Sequence, residues 1–73
     1  MRTLPEWVKP GTAFIYQFGP DNHNNGRKFH IRGIVDDRAV IREWWRHKRR
    51  WNYTVEDWIY FNAFAPHIKV VRR

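Results

Sequence analysis

The sequence predicts a mostly β protein of one small domain, with five strands and one short helical turn before the last strand. Three observations support this fold class. The chain has 73 residues, which leaves room for a single domain only. Apolar and polar residues alternate over short segments, as they do in half-buried strands. Gly, Pro, Asn and Asp separate these segments. We therefore expect one domain over residues 1–73, with an ordered core over about residues 7–71.

Two strands separated by a polar loop are predicted in the first half of the chain. Lys9-Pro10-Gly11-Thr12 carries the Pro and Gly of a tight turn, so a strand is expected directly after it, over residues 13–18. Residues 19–26 are polar, end in Asn-Gly and predict a long exposed loop.

The second strand is predicted over residues 27–35, where the pattern alternates. Its apolar face is expected to carry Phe29, Ile31, Gly33 and Val35, and its polar face Lys28, His30 and Arg32. Gly33 is a candidate bulge, since glycine inside a strand often marks one.

A hairpin with a basic tip follows the short turn at Asp36-Asp37. Residues 39–46 form its first strand, residues 47–50 its tip and residues 51–53 the start of its return strand. The adjacent Trp44 and Trp45 cannot both point inward on a regular strand.

We therefore expect one of these two tryptophans in the core and the other partly exposed. Trp45 lies opposite Tyr53 in one hairpin register and Trp44 does in the other, because a one-residue shift exchanges the two faces of a strand. The sequence leaves both registers open.

Thr54 is expected to cap a short helix whose first turn holds Glu56 and Asp57, since acidic residues are favoured there. The helix should run to about Phe64 and end before Pro66. Trp58 is its expected core residue. Residues 67–71 then predict the closing strand.

This order of elements resembles that of the SH3-like small barrels over about residues 8–71. The resemblance is one of element order and not of sequence motifs. It implies five strands closed on themselves, with the two terminal strands adjacent and no exposed sheet edge.

The charge of the chain predicts a polyanionic partner, either nucleic acid or an acidic protein surface. The net charge is +7, from 14 basic and 7 acidic residues, and arginine predominates among the basic ones. Arginine grips phosphate or carboxylate with two parallel hydrogen bonds and stacks on rings, which lysine cannot do. The chain has no cysteine and no apolar run of membrane-spanning length, so a cytoplasmic location without membrane contact is expected.

The densest cationic and aromatic segment is residues 42–51, with five Lys or Arg, one His, one acid and three Trp. Basic residues attract phosphates, and exposed rings provide stacking surfaces for bases. The predicted binding residues are Arg42, Trp44, Arg46, His47, Lys48, Arg49, Arg50 and Trp51, extended by Lys28 and Arg32 of the second strand. We expect a small nucleic-acid-binding module, of either DNA or RNA.

Other interpretations of the same segment stay open. A regulator or inhibitor, including a viral one, would present the hairpin to an acidic surface of a larger enzyme. An assembly factor of a ribonucleoprotein would use both charge and rings. An aromatic cage for a methylated cation would need an acid, for which Glu43 is the candidate. The hairpin would otherwise be an ordinary core element with solvated charges.

Catalysis is not expected. The chain has no Ser or Cys, and Thr3, Thr12 and Thr54 have no evident base beside them. Asp36 and Asp37 fit a turn better than an acid and base pair. The four histidines lack the spacing of metal ligands, and no cofactor motif is present.

Overall fold

The fold is one five-stranded antiparallel sheet with a short helix, as a mostly β class predicts. The computed structural model describes residues 3–72, and Met1, Arg2 and Arg73 lie outside the described residues. The strands are β1 (Ala13–Tyr16), β2 (Lys28–Val35), β3 (Arg38–Trp45), β4 (Arg50–Glu56) and β5 (Ile68–Arg72). A helix, α1 (Trp58–Phe64), and a 3-10 turn (Ala65–His67) connect β4 to β5.

The sheet is open rather than closed. Its strand order is β4-β3-β2-β1-β5, so the first and last strands are neighbours, as expected. Within residues 3–72, however, β4 and β5 do not pair, and each forms an edge of the sheet. The predicted closure into a barrel is therefore not confirmed.

The core lies on one face of this sheet, which we call the inner face. Phe14 stacks on Phe29 with ring centroids 5.2 Å apart, and Trp7 meets the edge of Phe14 at 5.5 Å. The buried cluster consists of Val8, Phe14, Tyr16, Phe29, Ile31, Ala39, Ile41 and Phe61. Aromatic rings therefore supply much of the burial in this small chain.

The helix contributes a different residue to the core than expected. Phe61 is 1% exposed and contacts Trp7, with centroids 5.6 Å apart. Trp58 is only half-buried and is not part of the core cluster. The assignment of Trp58 to the core is wrong because α1 begins at this residue and turns Phe61, three positions later, onto the sheet.

A bulge divides β2, at the position that the glycine indicated. The register with β3 shifts between Ile31 and Gly33. An extra residue on one strand moves every later side chain to the other face. Val35 is consequently 59% exposed, and its predicted place on the face of Phe29 and Ile31 is wrong.

The turn between β2 and β3 has the backbone of a two-residue hairpin. Asp36 and Asp37 have positive φ angles of 49° and 62°. Positive φ at both central positions matches the right-handed twist of the flanking strands, and Asp tolerates it better than most residues. The role of this acidic pair as turn formers is confirmed.

Strand β4 is longer than predicted and displaces the expected helix cap. Thr54 pairs with Ile41 of β3, and pairing continues to Glu56 opposite Ala39. The N-cap of α1 is Asp57, whose side chain accepts a hydrogen bond from the Ile59 backbone at 3.0 Å. The assignment of Thr54 as N-cap is wrong because strand pairing uses its backbone.

Across the described residues, no helix has both the length and the apolar character that crossing a membrane requires.

Candidate nucleic-acid interface

The pairing of β3 with β4 decides which residues of the basic hairpin share a face. Trp44 lies opposite Trp51, Arg42 opposite Tyr53, and Trp45 opposite Arg50. Neither tryptophan lies opposite Tyr53, so both expected registers are wrong. The reason is the length of the connection between the strands. Its four residues, 46–49, place Trp45 opposite Arg50, and this first pair fixes the register of all the others.

Four of these side chains, with His30 of β2, form what we call the aromatic face: His30, Arg42, Trp44, Trp51 and Tyr53. The Trp44 and Trp51 rings meet edge to face, 5.2 Å apart. The Arg42 guanidinium carbon lies 3.7 Å from the centroid of the Trp51 ring, and Arg42 Nη1 donates to the Tyr53 hydroxyl at 3.2 Å. His30 meets the edge of Trp51 at 5.8 Å.

These contacts leave two rings open to solvent on the outer face of the sheet. Trp44 is 47% exposed and Tyr53 is 55% exposed. Trp51 is half-buried between Trp44, His30 and Arg42. A fixed cation therefore lies between rings, and Trp44 and Tyr53 are available for contact with a ligand.

Trp45 points to the other face and is engaged there. Its Nε1 donates to Glu43 Oε1 at 3.1 Å, the His47 ring stacks on it at 5.9 Å, and Lys48 Nζ lies 5.3 Å from its centroid. Neither Trp44 nor Trp45 belongs to the core cluster, so the expectation that one of them is a core residue is wrong. Trp45 supports the turn, and Trp44 is the exposed ring.

The acid of this hairpin is neutralised on the inner face. Glu43 is 8% exposed and accepts from Arg27 Nε at 2.6 Å and from Arg27 Nη2 at 2.5 Å. The hydrogen bonds from Arg27 hold the pKa of Glu43 below its usual range. Glu43 therefore lies on the opposite face from Trp44 and Trp51, and it cannot complete the aromatic cage that the sequence suggested.

The tip of the hairpin, residues 46–50, carries only basic side chains, all exposed: Arg46, His47, Lys48, Arg49 and Arg50. We call it the basic tip. Its turn is held by two backbone hydrogen bonds, from Lys48 to Trp45 at 3.2 Å and from Arg49 to Arg46 at 3.3 Å. Because Arg27 already neutralises Glu43, this carboxylate does not offset the positive charge of the tip.

The polar loop at residues 19–26 lies beside the basic tip and forms a groove of about 360 Å³ with it. The groove is lined by His23, Asn24, Arg27, Glu43, Trp44, Trp45, Arg46 and His47. Two loop asparagines are occupied with the loop itself: Asn22 Oδ1 accepts from the Asn24 backbone at 2.8 Å, and Asn25 Oδ1 from the Phe18 backbone at 3.0 Å. Asn24 Oδ1 likewise accepts from Arg27 Nη1 at 2.9 Å, so the loop presents the exposed His23 to the groove.

The two predicted site residues of β2 have different positions. Lys28 is exposed at the end of β2 that lies nearest the basic tip, because β2 and β3 are antiparallel. Arg32 is exposed at the bulge, toward the Asp36-Asp37 turn. The structure thus brings Lys28 to the site and leaves Arg32 away from it.

The predicted nucleic-acid-binding residues omitted Tyr53, which was considered only as a cage ring, and His30. The signal for Tyr53 was the alternation of Trp51, Tyr53 and Val55, which continues β4 past the assumed cap at Thr54. For His30 the signal was weaker, because its contact with Trp51 depends on two other strands being in register.

Within residues 3–72, no three His, Asp or Glu side chains are grouped so as to hold a metal ion. The chemistry on offer is that of a fixed arginine, exposed rings and a cluster of flexible cations. No protein-family model, curated protein or solved structure matches the chain.

Proposed function

We propose that the protein binds single-stranded nucleic acid, DNA or RNA, with the aromatic face and the basic tip, and that it is a binding module rather than an enzyme. The observation that carries the proposal is the position of Trp44. Its ring is exposed on the outer face, one residue from Trp45 and two from the first arginine of the basic tip.

Stacking supplies the first part of the affinity. Every base has a flat π-face, so a ring contact tolerates any sequence and contributes about 1–3 kcal/mol per base. Trp44 and Tyr53 are the two exposed rings of the aromatic face. Trp51 contacts the Trp44 ring, and Arg42 donates a hydrogen bond to the Tyr53 hydroxyl. These contacts restrict both rings before binding, which reduces the side-chain freedom lost on binding.

Phosphate contacts supply the second part. The basic tip holds three arginines, one lysine and one histidine, all exposed, beside the groove that His23 and Asn24 line. Each phosphate neutralised releases condensed counterions, so the affinity should fall with salt at a slope of roughly −0.7 per contact for a single strand.

A fluorescence titration tests the proposal. The full chain is titrated with a mixed-sequence single-stranded oligonucleotide at several salt concentrations, with DNA and RNA of the same sequence. We expect quenching of tryptophan fluorescence and weaker binding as salt rises. The absence of quenching and of retention at low salt would exclude the proposal.

Two charge-reversal variants locate the site. Arg46→Glu with Arg49→Glu removes charge from the basic tip and should abolish binding. Lys9→Glu with Lys69→Glu changes the net charge equally, at exposed positions before β1 and on the opposite sheet edge, and should weaken it only mildly. Equal losses in both would show that net charge matters and the tip does not.

A protein partner is the second candidate, with this molecule as a regulator or inhibitor that docks on an acidic surface. It is favoured by the aliphatic side chains that continue the outer face beyond Tyr53. Val35, Val40 and Val55 line a depression of about 470 Å³ there. Capture from a lysate with and without nuclease separates the two, since a partner that persists after nuclease favours this candidate.

A further inference from the structure

Strand β4 is an open sheet edge whose charged side chains, Arg50 and Glu56, stand only at its two ends. Its seven residues pair with β3 in unbroken register, and they include no Lys, no Pro and no bulge. Tyr53, Thr54 and Val55 are all exposed. In an antiparallel ladder, about half of an edge strand's backbone N–H and C=O groups face away from its neighbour. Those of β4 are therefore turned toward solvent.

The sequence of β4 is complementary to itself in the antiparallel direction. With Tyr53 at the centre, two copies would place Arg50 opposite Glu56, Trp51 opposite Val55, and Asn52 opposite Thr54. Each cationic group would thus lie opposite an anionic group, each apolar side chain opposite an apolar one, and each uncharged polar side chain opposite a polar one. This register also pairs all seven residues, and every shift from it shortens the overlap.

We infer that the protein forms a symmetric homodimer by antiparallel pairing of β4 with β4 of a second copy, centred on Tyr53. The dimer would be a continuous ten-stranded sheet. Cross-strand pairs of opposite charge and of apolar side chains stabilise such ladders, and like charges directly opposite destabilise them.

The state of Glu56 supports this pairing. The ion pair within the described residues joins Arg27 to Glu43, and neither Glu56 nor Arg50 takes part in it. Glu56 is half-buried, and its burial, with a smaller contribution from Asp57, raises its pKa. A guanidinium from the second copy would give this carboxylate a cation that residues 3–72 of its own chain do not provide.

The dimer would also extend the binding surface, although the inference does not depend on nucleic-acid binding. Residues opposite one another in a sheet share a face, so Trp51 of each copy would adjoin Val55 of the other on the outer face. The two Arg50 positions would lie about 20 Å apart along the strands, at roughly 3.3 Å per residue. The two basic tips would then point in opposite directions from one aromatic surface.

Single cysteines test the register, because the chain has no cysteine of its own. In Tyr53→Cys the two thiols lie directly opposite, where Cα atoms are about 4.5–5.5 Å apart and a disulfide fits. In Val55→Cys the two thiols are offset by four residues, about 13 Å, which is too far. Under mild oxidation we expect a crosslinked dimer from the first variant and monomer from the second. Equal crosslinking, or none in either, would overturn the inference.

Charge exchange provides an independent test by sedimentation of the full chain over a range of concentrations. Arg50→Glu alone and Glu56→Arg alone each place like charges opposite one another, and each should raise the dimer dissociation constant on the order of tenfold. The double variant restores both pairs and should recover dimerisation. A wild-type protein that stays monomeric, or single variants that dimerise like the wild type, would overturn the inference. Circular dichroism confirms folding of each variant.

Discussion

The two faces of β3 differ in which side chains they bury. Toward the core the strand presents Ala39, Ile41 and Glu43, and toward solvent Val40, Arg42 and Trp44. At the tip end the usual preference is reversed, since the carboxylate is buried and the neighbouring tryptophan is exposed. Partners explain the reversal: Arg27 and Trp45 satisfy Glu43, whereas among the described residues Trp44 contacts Trp51 and stays 47% exposed.

This difference separates stability from recognition. Changes on the inner face should lower the free energy of unfolding, and changes on the outer face should lower affinity while the fold persists. The following variants would sharpen this separation or break it.

The largest loss of stability is expected from Phe61→Ala. A fully buried phenylalanine truncated to alanine leaves a cavity, and the cost is about 3–5 kcal/mol. Trp58→Ala is the matched control on the same helix, and because Trp58 is outside the core cluster its cost should be clearly smaller. Urea unfolding followed by circular dichroism measures both. A cost for Trp58→Ala as large as that for Phe61→Ala would contradict the core described above.

Glu43→Ala should cost about 1–3 kcal/mol, because it leaves the Arg27 guanidinium without its carboxylate. The loss should stay below the roughly 3–5 kcal/mol of a fully buried pair, since the Arg27 side chain is 39% exposed and keeps part of its hydration. Glu6→Ala, at an exposed position, is the control and should be nearly neutral. Equal effects in the two variants would show that the ion pair does not stabilise the fold.

The same ion pair predicts a pH dependence. The folded-state pKa of Glu43 lies below its ordinary value of 4.5, so the carboxylate contributes stability at neutral pH. That contribution is lost as the pH falls from 4.5 through the lowered folded-state pKa, where the native protein takes up its proton. Thermal unfolding from pH 7 downward should show a smaller acid-dependent loss for Glu43→Gln than for the wild type. Parallel pH profiles would assign the acid sensitivity to other carboxyl groups.

Tyr60→Phe should cost about 0.5–1.5 kcal/mol, as expected for one hydrogen bond. Its hydroxyl lies 2.6 Å from that of Tyr16, and burial raises the pKa of both groups. Tyr53→Phe provides the comparison on the outer face, where the lost hydroxyl accepts from Arg42 but is exposed to water. Under identical conditions, Tyr53→Phe should lower the free energy of unfolding less than Tyr60→Phe does. Equal losses would contradict the difference between the two faces.

A small effect on stability and a large effect on binding are expected together for Trp44→Ala. The variant loses one aromatic pair, with Trp51, which contributes about 0.5–1.5 kcal/mol. Its affinity for single-stranded nucleic acid should fall about tenfold, in line with the loss of one stacked base. Trp45→Phe keeps a ring on the inner side and should preserve affinity. Unchanged binding by Trp44→Ala would remove the aromatic face from the site.

Local chemistry was enough to predict several parts of the structure. The glycine at position 33 indicated the bulge, and Asp36-Asp37 indicated the two-residue turn. Adjacent tryptophans on one strand required that one of them face outward. These predictions succeed because each depends on the backbone freedom or side-chain direction of neighbouring residues.

The predictions that failed depended on how the strands pair and on where each element begins. Thr54 has a good cap sequence around it, but pairing with Ile41 extends the strand through it. Val35 continues an apolar alternation, but the bulge turns it outward. Trp58 is a large apolar residue, but Phe61 occupies the core because of where α1 begins.

By itself the amino-acid sequence determined the β-rich class, the turns, the charge of the hairpin and the outward direction of one tryptophan. The tertiary structure decided which charges remain exposed. Arg27 lies in the connection between β1 and β2, and only the folded chain brings it to Glu43, which it neutralises. It also decided that the sheet stays open, leaving β4 with an unpaired edge. The physical reason is that local propensities act between near neighbours, whereas burial and pairing depend on which segments the whole chain brings together.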